Sequence, residues 1–162
     1  MNIALISQNA VPGLTIFRKD LIRYLVKRGH KVFAFAIDYN AESREIISDL
    51  RAIPMDYTLN KSGINILVDL KDIWLLSKKL KKIQLDIALS FFVKPSIYGT
   101  LAARIAKVPR CIAMLEGLGY IYTPTKNKFS FKKIFLKYAH GFLASIGYAF
   151  ADKILFLNHD DP

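Results

Sequence analysis

Short apolar runs and longer amphipathic stretches alternate along this chain, and the alternation predicts an α/β fold. Asn2 to Ser7 and Val32 to Ile37 are apolar without polar alternation, which is typical of strands buried on both faces. Between them, Thr15 to Arg28 carries apolar residues at helical spacing and stops before Gly29. A strand, a helix and a second strand in this order normally imply a parallel sheet.

The same alternation continues along the rest of the chain. It predicts strands at Ile53–Tyr57, Ile87–Phe92, Cys111–Leu115 and Lys153–Leu157, and helices at Glu42–Leu50, Ile66–Ile83 and Ser96–Ala106. We expect Thr15 to cap the first helix and Ile16 to lie on its apolar side. In the long helix the apolar side is expected to comprise Leu67, Leu70, Ile73, Trp74 and Leu80. Residues 1–162 are predicted to form a single domain.

The charge of the chain adds an expectation about its partners. It has 162 residues, with 24 Lys and Arg against 13 Asp and Glu, a formal net charge of +11. Such an excess favours nucleic acid, an acidic membrane surface or a phosphorylated substrate. No apolar run reaches the roughly 20 residues of a membrane-spanning helix. The single cysteine, Cys111, lies in an apolar strand and is interpreted as a small core residue.

One segment is both basic and aromatic. No acidic residue occurs between Gly117 and Ala151. The candidate membrane-surface residues are Lys126, Lys128, Phe131, Lys132, Lys133, Phe135 and Lys137. Lysines near anionic headgroups and aromatic rings at the acyl boundary suit an interfacial helix; the alternative is a core helix with a basic exposed side. Nucleic acid is not expected as a partner, because arginines are few here and no RNA-binding or zinc motif occurs.

A glycine-containing loop follows the strand Cys111–Leu115. It reads Glu116-Gly117-Leu118-Gly119, and its two glycines let the backbone turn sharply and approach a ligand closely. Ligands bind at the carboxyl ends of strands in open α/β sheets, so this loop is a candidate site. The alternative is an ordinary turn between a strand and a helix.

Four stretches in order resemble a known family. They are FRKDLIRYLVKRGHKV at Phe17–Val32, KPSIYGTLAARIAKVPR at Lys94–Arg110, LEGLGYIYT at Leu115–Thr123 and ADKILFLNHDD at Ala151–Asp161. Together they are similar to the N-terminal domain of bacterial GT-B glycosyltransferases of family 4, in the group that acts on undecaprenyl-diphosphate-linked acceptors.

The resemblance implies a Rossmann-like parallel sheet with helices on both faces, the N-terminal half of a GT-B fold. This half of such an enzyme binds a lipid-linked saccharide acceptor at the anionic surface of the inner membrane, so a cytoplasmic, peripheral location is expected. The donor half, which binds the nucleotide-sugar, lies outside these 162 residues, and catalysis by this stretch alone is not expected. The alternative is a stand-alone membrane-associated subunit that recruits a separate catalytic chain.

The same resemblance directs attention to an acceptor site on the carboxyl edge of the sheet. The expected acceptor-binding residues are Pro12, Gly13, Arg18, Lys94, Glu116, Gly117 and Gly119. Backbone N–H groups of the loop that contains Pro12-Gly13, and those at the start of the next helix, would hold a diphosphate, with Arg18 and Lys94 adding charge. Glu116 would either accept a hydrogen bond from an acceptor hydroxyl or cap the next helix. Many members of the family have His in place of Glu116, and that histidine's role is not carried over. Transfer in the family retains configuration without a required metal, so no metal and no cofactor are expected.

Overall fold

The structure, a computed structural model, describes residues 1–60, 65–116, 141–142 and 144–157. Its strands form one six-stranded parallel sheet in the order β3-β2-β1-β4-β5-β6. The strands are β1 Asn2–Ile6, β2 Lys31–Ala36, β3 Ile53–Asp56, β4 Ile87–Phe91, β5 Arg110–Leu115 and β6 Lys153–Phe156. Four helices lie entirely within the described residues and are given as α1 Lys19–Lys27, α2 Ala41–Asp49, α3 Ile66–Ile83 and α4 Val93–Ile105. The predicted Rossmann-like parallel sheet is thereby confirmed.

Helices cover both faces of the sheet, as the alternation along β1 shows. Ala4 and Ile6 belong to one buried cluster, which includes residues of α3 and α4. Ile3 and Leu5 belong to a second cluster, which includes Ile22 of α1 and Ile47 of α2. Successive side chains of a strand point to opposite faces, so β1 contributes to two separate cores. Its apolar run without polar alternation follows from this double burial.

The first helix starts later than predicted, at Lys19 and not at Thr15. Residues 11–18 instead form a series of turns, in which the N–H groups of Leu14 and Thr15 both donate to Ala10 O. Thr15 is buried and does not cap the helix. Arg18 occupies the N-cap position without a side-chain capping bond. Helical spacing alone did not reveal this compact turn segment, and Ile16, predicted on the apolar side, is exposed.

The helix α4 also differs from its prediction, because it begins at Val93 rather than Ser96. Pro95 lies in its first turn, where a missing N–H costs no helical hydrogen bond. Phe92 precedes the helix with a φ of 69°. A bulky residue with positive φ is an outlier, and such residues concentrate at ligand sites and switch regions.

The largest error of the sequence analysis concerns α3. Leu67, Leu70 and Trp74 were expected to be buried, but they are 81%, 58% and 52% exposed. The buried side of α3 includes Ile73, Leu76 and Leu80 together with two acids, Asp69 and Asp72. Both acids accept hydrogen bonds, which lets polar residues occupy a buried face.

Cys111 is a core residue, as predicted. It is fully buried in β5, and its Sγ lies 3.7 Å from Val108 O. Burial raises the pKa of the thiol to about 11, with a smaller opposing effect from Arg104. The thiolate is the reactive form, so this side chain is inert at neutral pH.

The end of α3 offers a stability prediction. Gln84 is the C-cap residue, is exposed, and has a left-handed backbone with φ of 54°. Glycine adopts this conformation without a Cβ penalty, so Gln84→Gly is expected to raise the free energy of unfolding by about 0.5–1 kcal/mol. Urea denaturation followed by circular dichroism measures the change. The matched control is Lys81→Gly, which places glycine in the last helical turn and is expected to lower stability by about 1 kcal/mol. A loss of stability in Gln84→Gly would contradict the prediction.

Candidate functional site

The strand order places a crevice between β1 and β4. The chain leaves β1 towards α1 on one face of the sheet and leaves β4 towards α4 on the other. Such a switch point, at the carboxyl ends of the strands, is the usual ligand position in open α/β sheets. The turn segment 8–18, Phe92 and Glu116 all follow directly on strands that end at this edge.

Arg18 extends over this crevice from the start of α1. Its guanidinium carbon lies 4.3 Å from the ring centroid of Phe91, the last residue of β4. One of its terminal nitrogens forms an ion pair with Glu116, directly after β5, and lies 3.9 Å from Met114 Sδ. Arg18 therefore connects α1 to the ends of β4 and β5.

The Arg18–Glu116 pair is largely removed from solvent. The two side chains are 12% and 10% exposed. Burial lowers the pKa of the Arg18 guanidinium from its ordinary value. Its Nε is buried, and no hydrogen-bond partner for it lies within the described ranges. An arginine held in a low-dielectric setting with a spare donor is suited to bind an anionic group, because its hydrogen bonds to such a group are strong there.

The loop after β1 is held by its own polar groups. Ser7 Oγ donates to Asn9 O at 2.9 Å, and Ala10 N donates to Asp38 Oδ1 at 2.7 Å. A Cβ on Gly13 would lie 2.4 Å from Asn9 Oδ1 and 2.5 Å from Ser7 Oγ. Gly13 is therefore required for the loop to close on itself. The preceding residue, Pro12, accepts the N–H groups of residues 16 and 17 through its carbonyl.

Lys94 lies in the first turn of α4 and is engaged by a buried carboxylate. Its Nζ donates to Asp69 Oδ1 at 2.9 Å and to Asn60 O at 2.7 Å. Asp69 also accepts from Tyr98 OH at 3.1 Å and from Asn65 N at 3.1 Å. Burial, followed by the Asp69 charge, raises the pKa of Tyr98. Lys94 thus fixes α3 to α4, and its expected role in acceptor binding stays a prediction.

The structure therefore brings together Arg18 and Glu116, with Pro12 and Gly13 in the loop at the same edge. Lys94 also lies at this edge, in a network of its own. The remaining calls lie outside the described residues: Gly117, Gly119, Lys126, Lys128, Phe131, Lys132, Lys133, Phe135 and Lys137. The sequence did not identify Phe91 as a site residue. An aromatic residue at the end of an apolar strand is typical of a core, and its contact with the Arg18 guanidinium is not visible in the sequence.

The described part of the chain lacks two further features. It contains no group of three or more His, Cys, Asp and Glu residues arranged to hold a metal ion. None of its helices combines the length and the apolar character that crossing a bilayer requires.

The chain is similar in sequence to a curated protein whose activity is assigned. The chain is 30% identical over 145 residues to the N,N'-diacetylbacillosaminyl-diphospho-undecaprenol alpha-1,3-N-acetylgalactosaminyltransferase of Campylobacter jejuni. The match covers 90% of this chain and 37% of that enzyme. The chain therefore spans little more than a third of the length of this relative.

Solved structures with the same fold include glycosyltransferases. The Anabaena protein Alr3699/HepE, solved in complex with UDP and glucose, matches with a TM-score of 0.58 and 14% identity, over 95% of this chain and 37% of that one. CalG4, the calicheamicin glycosyltransferase, matches with a TM-score of 0.53 and 12% identity, over 92% of this chain and 42% of that one. At these identities the likeness shows the fold.

The family follows from the sequence itself. The profile of the family described as "Glycosyl transferase 4-like" matches residues 3–158, nearly the whole chain. This agrees with the resemblance carried by the four stretches between Phe17 and Asp161. The chain belongs to the glycosyl transferase 4-like family.

Proposed function

We propose that this chain is the acceptor-binding part of a retaining glycosyltransferase. The enzyme would transfer a sugar from a nucleotide-sugar to a lipid-linked saccharide in the biosynthesis of a surface polysaccharide or glycoconjugate. The family supports the reaction class, and the curated relative, whose name specifies a diphospho-undecaprenol substrate, supports the acceptor class. The donor would bind to a further part of the enzyme, since the chain matches 37% of that relative.

The observation that carries the proposal is the position of Arg18. It lies over the ends of β4 and β5, at the switch point, with a buried Nε that has no partner within the described residues. A diphosphate is an anion whose oxygens accept from a guanidinium in a bidentate manner. Arg18 would hold the acceptor's diphosphate and so fix the sugar attached to it at the edge of the sheet.

Glu116 balances the positive charge of Arg18 in the ligand-free site. Its carboxylate neutralises Arg18 when no acceptor is bound, because an unpaired buried guanidinium would be costly. A bound diphosphate would take over this neutralisation. Glu116 would then be released to accept a hydrogen bond from an acceptor hydroxyl, which is one of the two roles expected from the sequence.

The comparisons give no support to the alternative of a stand-alone subunit. The curated relative carries the matching stretch within one longer chain. A lipid-linked acceptor also supports a cytoplasmic enzyme held peripherally at the inner membrane. No cofactor is proposed.

The test separates binding from turnover. The 162-residue polypeptide is titrated in detergent with an undecaprenyl-diphosphate-linked sugar, and transfer is assayed with a panel of nucleotide-sugars. We expect saturable binding of the lipid-linked sugar and no transfer. We expect transfer once the chain is joined to a donor-binding domain, since the catalytic site of such enzymes needs both parts. Full turnover by the polypeptide alone, or an absence of acceptor binding, would contradict the proposal.

A further inference from the structure

Phe92, the residue that follows β4, occupies an unfavourable position in two respects. Its backbone has a φ of 69° and a ψ of 163°, a region that only glycine adopts readily. It is also the N-cap residue of α4, where short polar residues and glycine are preferred, and its side chain forms no capping hydrogen bond. A glycine would avoid the backbone strain. The phenyl ring is thus held at this position at a cost to the stability of the fold.

The other non-glycine residues with positive φ in the described part of the chain have an ordinary explanation. They are Arg51, Gln84 and Lys107, with φ of 60°, 54° and 62°. Each lies at the C-terminal end of a helix, where a left-handed residue commonly ends the helical hydrogen bonding. Phe92 instead follows a central strand at the switch point. Strained residues in such places concentrate at ligand-binding positions.

The ring of Phe92 lies on the same side of the sheet as the Arg18 guanidinium. It packs against the buried cluster that includes Phe91, and Met114 packs against the same cluster. Arg18 contacts both of these residues, through the ring of Phe91 and through Met114 Sδ. Phe92 is only partly buried, so part of it stays open to solvent. An accessible aromatic side chain therefore lies at the edge of the sheet, and on the side of it, where Arg18 is held.

We propose that the ring of Phe92 is the surface on which the acceptor's sugar packs, which makes Phe92 a specificity-determining residue of the acceptor site. The C–H groups on one side of a hexose ring form an apolar face, and aromatic side chains in ligand pockets bind apolar surfaces of this size. The inference rests on the proposed function, in which Arg18 holds the acceptor's diphosphate. It adds a second contact, made to the sugar and not to the phosphates.

The diphosphate of such an acceptor carries two groups, a sugar and a polyprenyl chain. The sugar receives the transferred unit, so it has to be fixed at the carboxyl edge of the sheet, where ligands of open α/β folds bind. The polyprenyl chain has to extend away from the site, and a single ring would cover only a small part of it. The backbone of Phe92 is fixed between β4 and α4, and its carbonyl accepts from Ser96 N at 2.9 Å. A ring held in this way binds a sugar with little loss of conformational freedom.

Two lipids separate the contact with the sugar from the contact with the diphosphate. They are undecaprenyl diphosphate and the same lipid linked to N-acetylglucosamine, and titration calorimetry in detergent measures the affinity of the chain for each. We expect the sugar-linked lipid to bind about tenfold more tightly. Phe92→Leu is expected to remove most of this difference and to leave the affinity for undecaprenyl diphosphate unchanged. Arg18→Ala, in contrast, is expected to weaken the binding of both lipids.

Further variants separate the ring from the backbone strain. Phe92→Tyr keeps an aromatic ring and is expected to keep the preference for the sugar-linked lipid. Phe92→Gly relieves the strain, so it is expected to lose the preference while being at least as stable as Phe92→Leu in urea denaturation. The matched control is Phe150→Leu, which makes the same change in an exposed ring next to Arg104 in the last turn of α4. It is expected to leave both affinities unchanged.

The inference fails if the unaltered chain binds both lipids equally well. It also fails if Phe92→Leu weakens the binding of both lipids to the same extent, because the ring would then support the diphosphate site or the fold. A loss of the preference in Phe150→Leu would be a third contradiction. Binding of neither lipid by the unaltered chain would overturn the proposed function and the inference together, so the two failures are distinguishable.

Discussion

Arg18→Ala is expected to weaken binding of an undecaprenyl-diphosphate-linked sugar about 100-fold, which corresponds to roughly 3 kcal/mol. The guanidinium lies over Phe91 in a largely buried setting, where hydrogen bonds to a diphosphate would be strong. Lysine keeps the charge and loses the planar pair of donors, so Arg18→Lys is expected to cost about tenfold. Titration calorimetry of the 162-residue chain in detergent measures both affinities.

Removing Arg18 also leaves the carboxylate of Glu116 buried without its partner, which lowers stability. The double variant Arg18→Ala/Glu116→Gln removes both charges and is expected to recover most of that stability but none of the acceptor affinity. Arg23→Ala is the matched control, because Arg23 lies on the same helix in a more exposed pair with Asp20. Recovery of acceptor binding in the double variant would show that Arg18 does not contact the ligand.

Asp69→Ala is expected to lower the free energy of unfolding by about 3–5 kcal/mol. Asp69 is 4% exposed and accepts hydrogen bonds from Lys94, Tyr98 and the N–H of Asn65. Its removal takes the countercharge from the Lys94 ammonium group, which keeps its hydrogen bond to Asn60 O, and takes a hydrogen-bond acceptor from the phenol of Tyr98. The buried charge that is no longer compensated accounts for most of the cost. Chemical denaturation, with the midpoint and slope fitted separately, measures the loss.

An exposed ion pair provides the comparison. Asp20 is paired with Arg23 on α1 with its side chain 92% exposed, and Asp20→Ala is expected to change stability by less than about 0.5 kcal/mol. The double variant Asp69→Ala/Lys94→Met removes both buried charges and is expected to be more stable than Asp69→Ala alone. Equal effects of Asp69→Ala and Asp20→Ala would refute a stabilising role for the buried network.

The periodicity of apolar residues predicted the strands well and the buried side of one helix badly. Strands β1, β2 and β4 lie between helical layers, so their sequences are apolar at nearly every position and easy to identify. In α3 the periodicity fixed the helix and its end at Ile83 but assigned Leu67, Leu70 and Trp74 to the core. The burial of Asp69 and Asp72 depends on partners such as Thr58 and Lys94, which are 14 and 25 residues away in the chain.

The candidate site was likewise predicted only in part. The rule that ligands bind at the carboxyl ends of parallel strands directed attention to Arg18 and Glu116 separately. Their pairing over Phe91 was not foreseeable, because Arg18 and Glu116 are separated by 98 positions in the sequence. Only the order of the strands in the sheet brings them together. The late start of α1, which places Arg18 at its N-cap, was equally hidden from the periodicity.

The central place of β1 has a consequence for synthesis on the ribosome. Residues up to Asp56 suffice to pair β1 with β2 and β2 with β3, but the other edge of β1 pairs with β4, which begins at Ile87. The nascent chain therefore holds an unpaired edge of β1 while about 30 more residues are added, and the apolar face of Ala4 and Ile6 stays uncovered until α3 has been made. At roughly 5–20 residues per second this interval lasts a few seconds. During that time we expect the unfinished sheet to bind chaperones that recognise apolar segments.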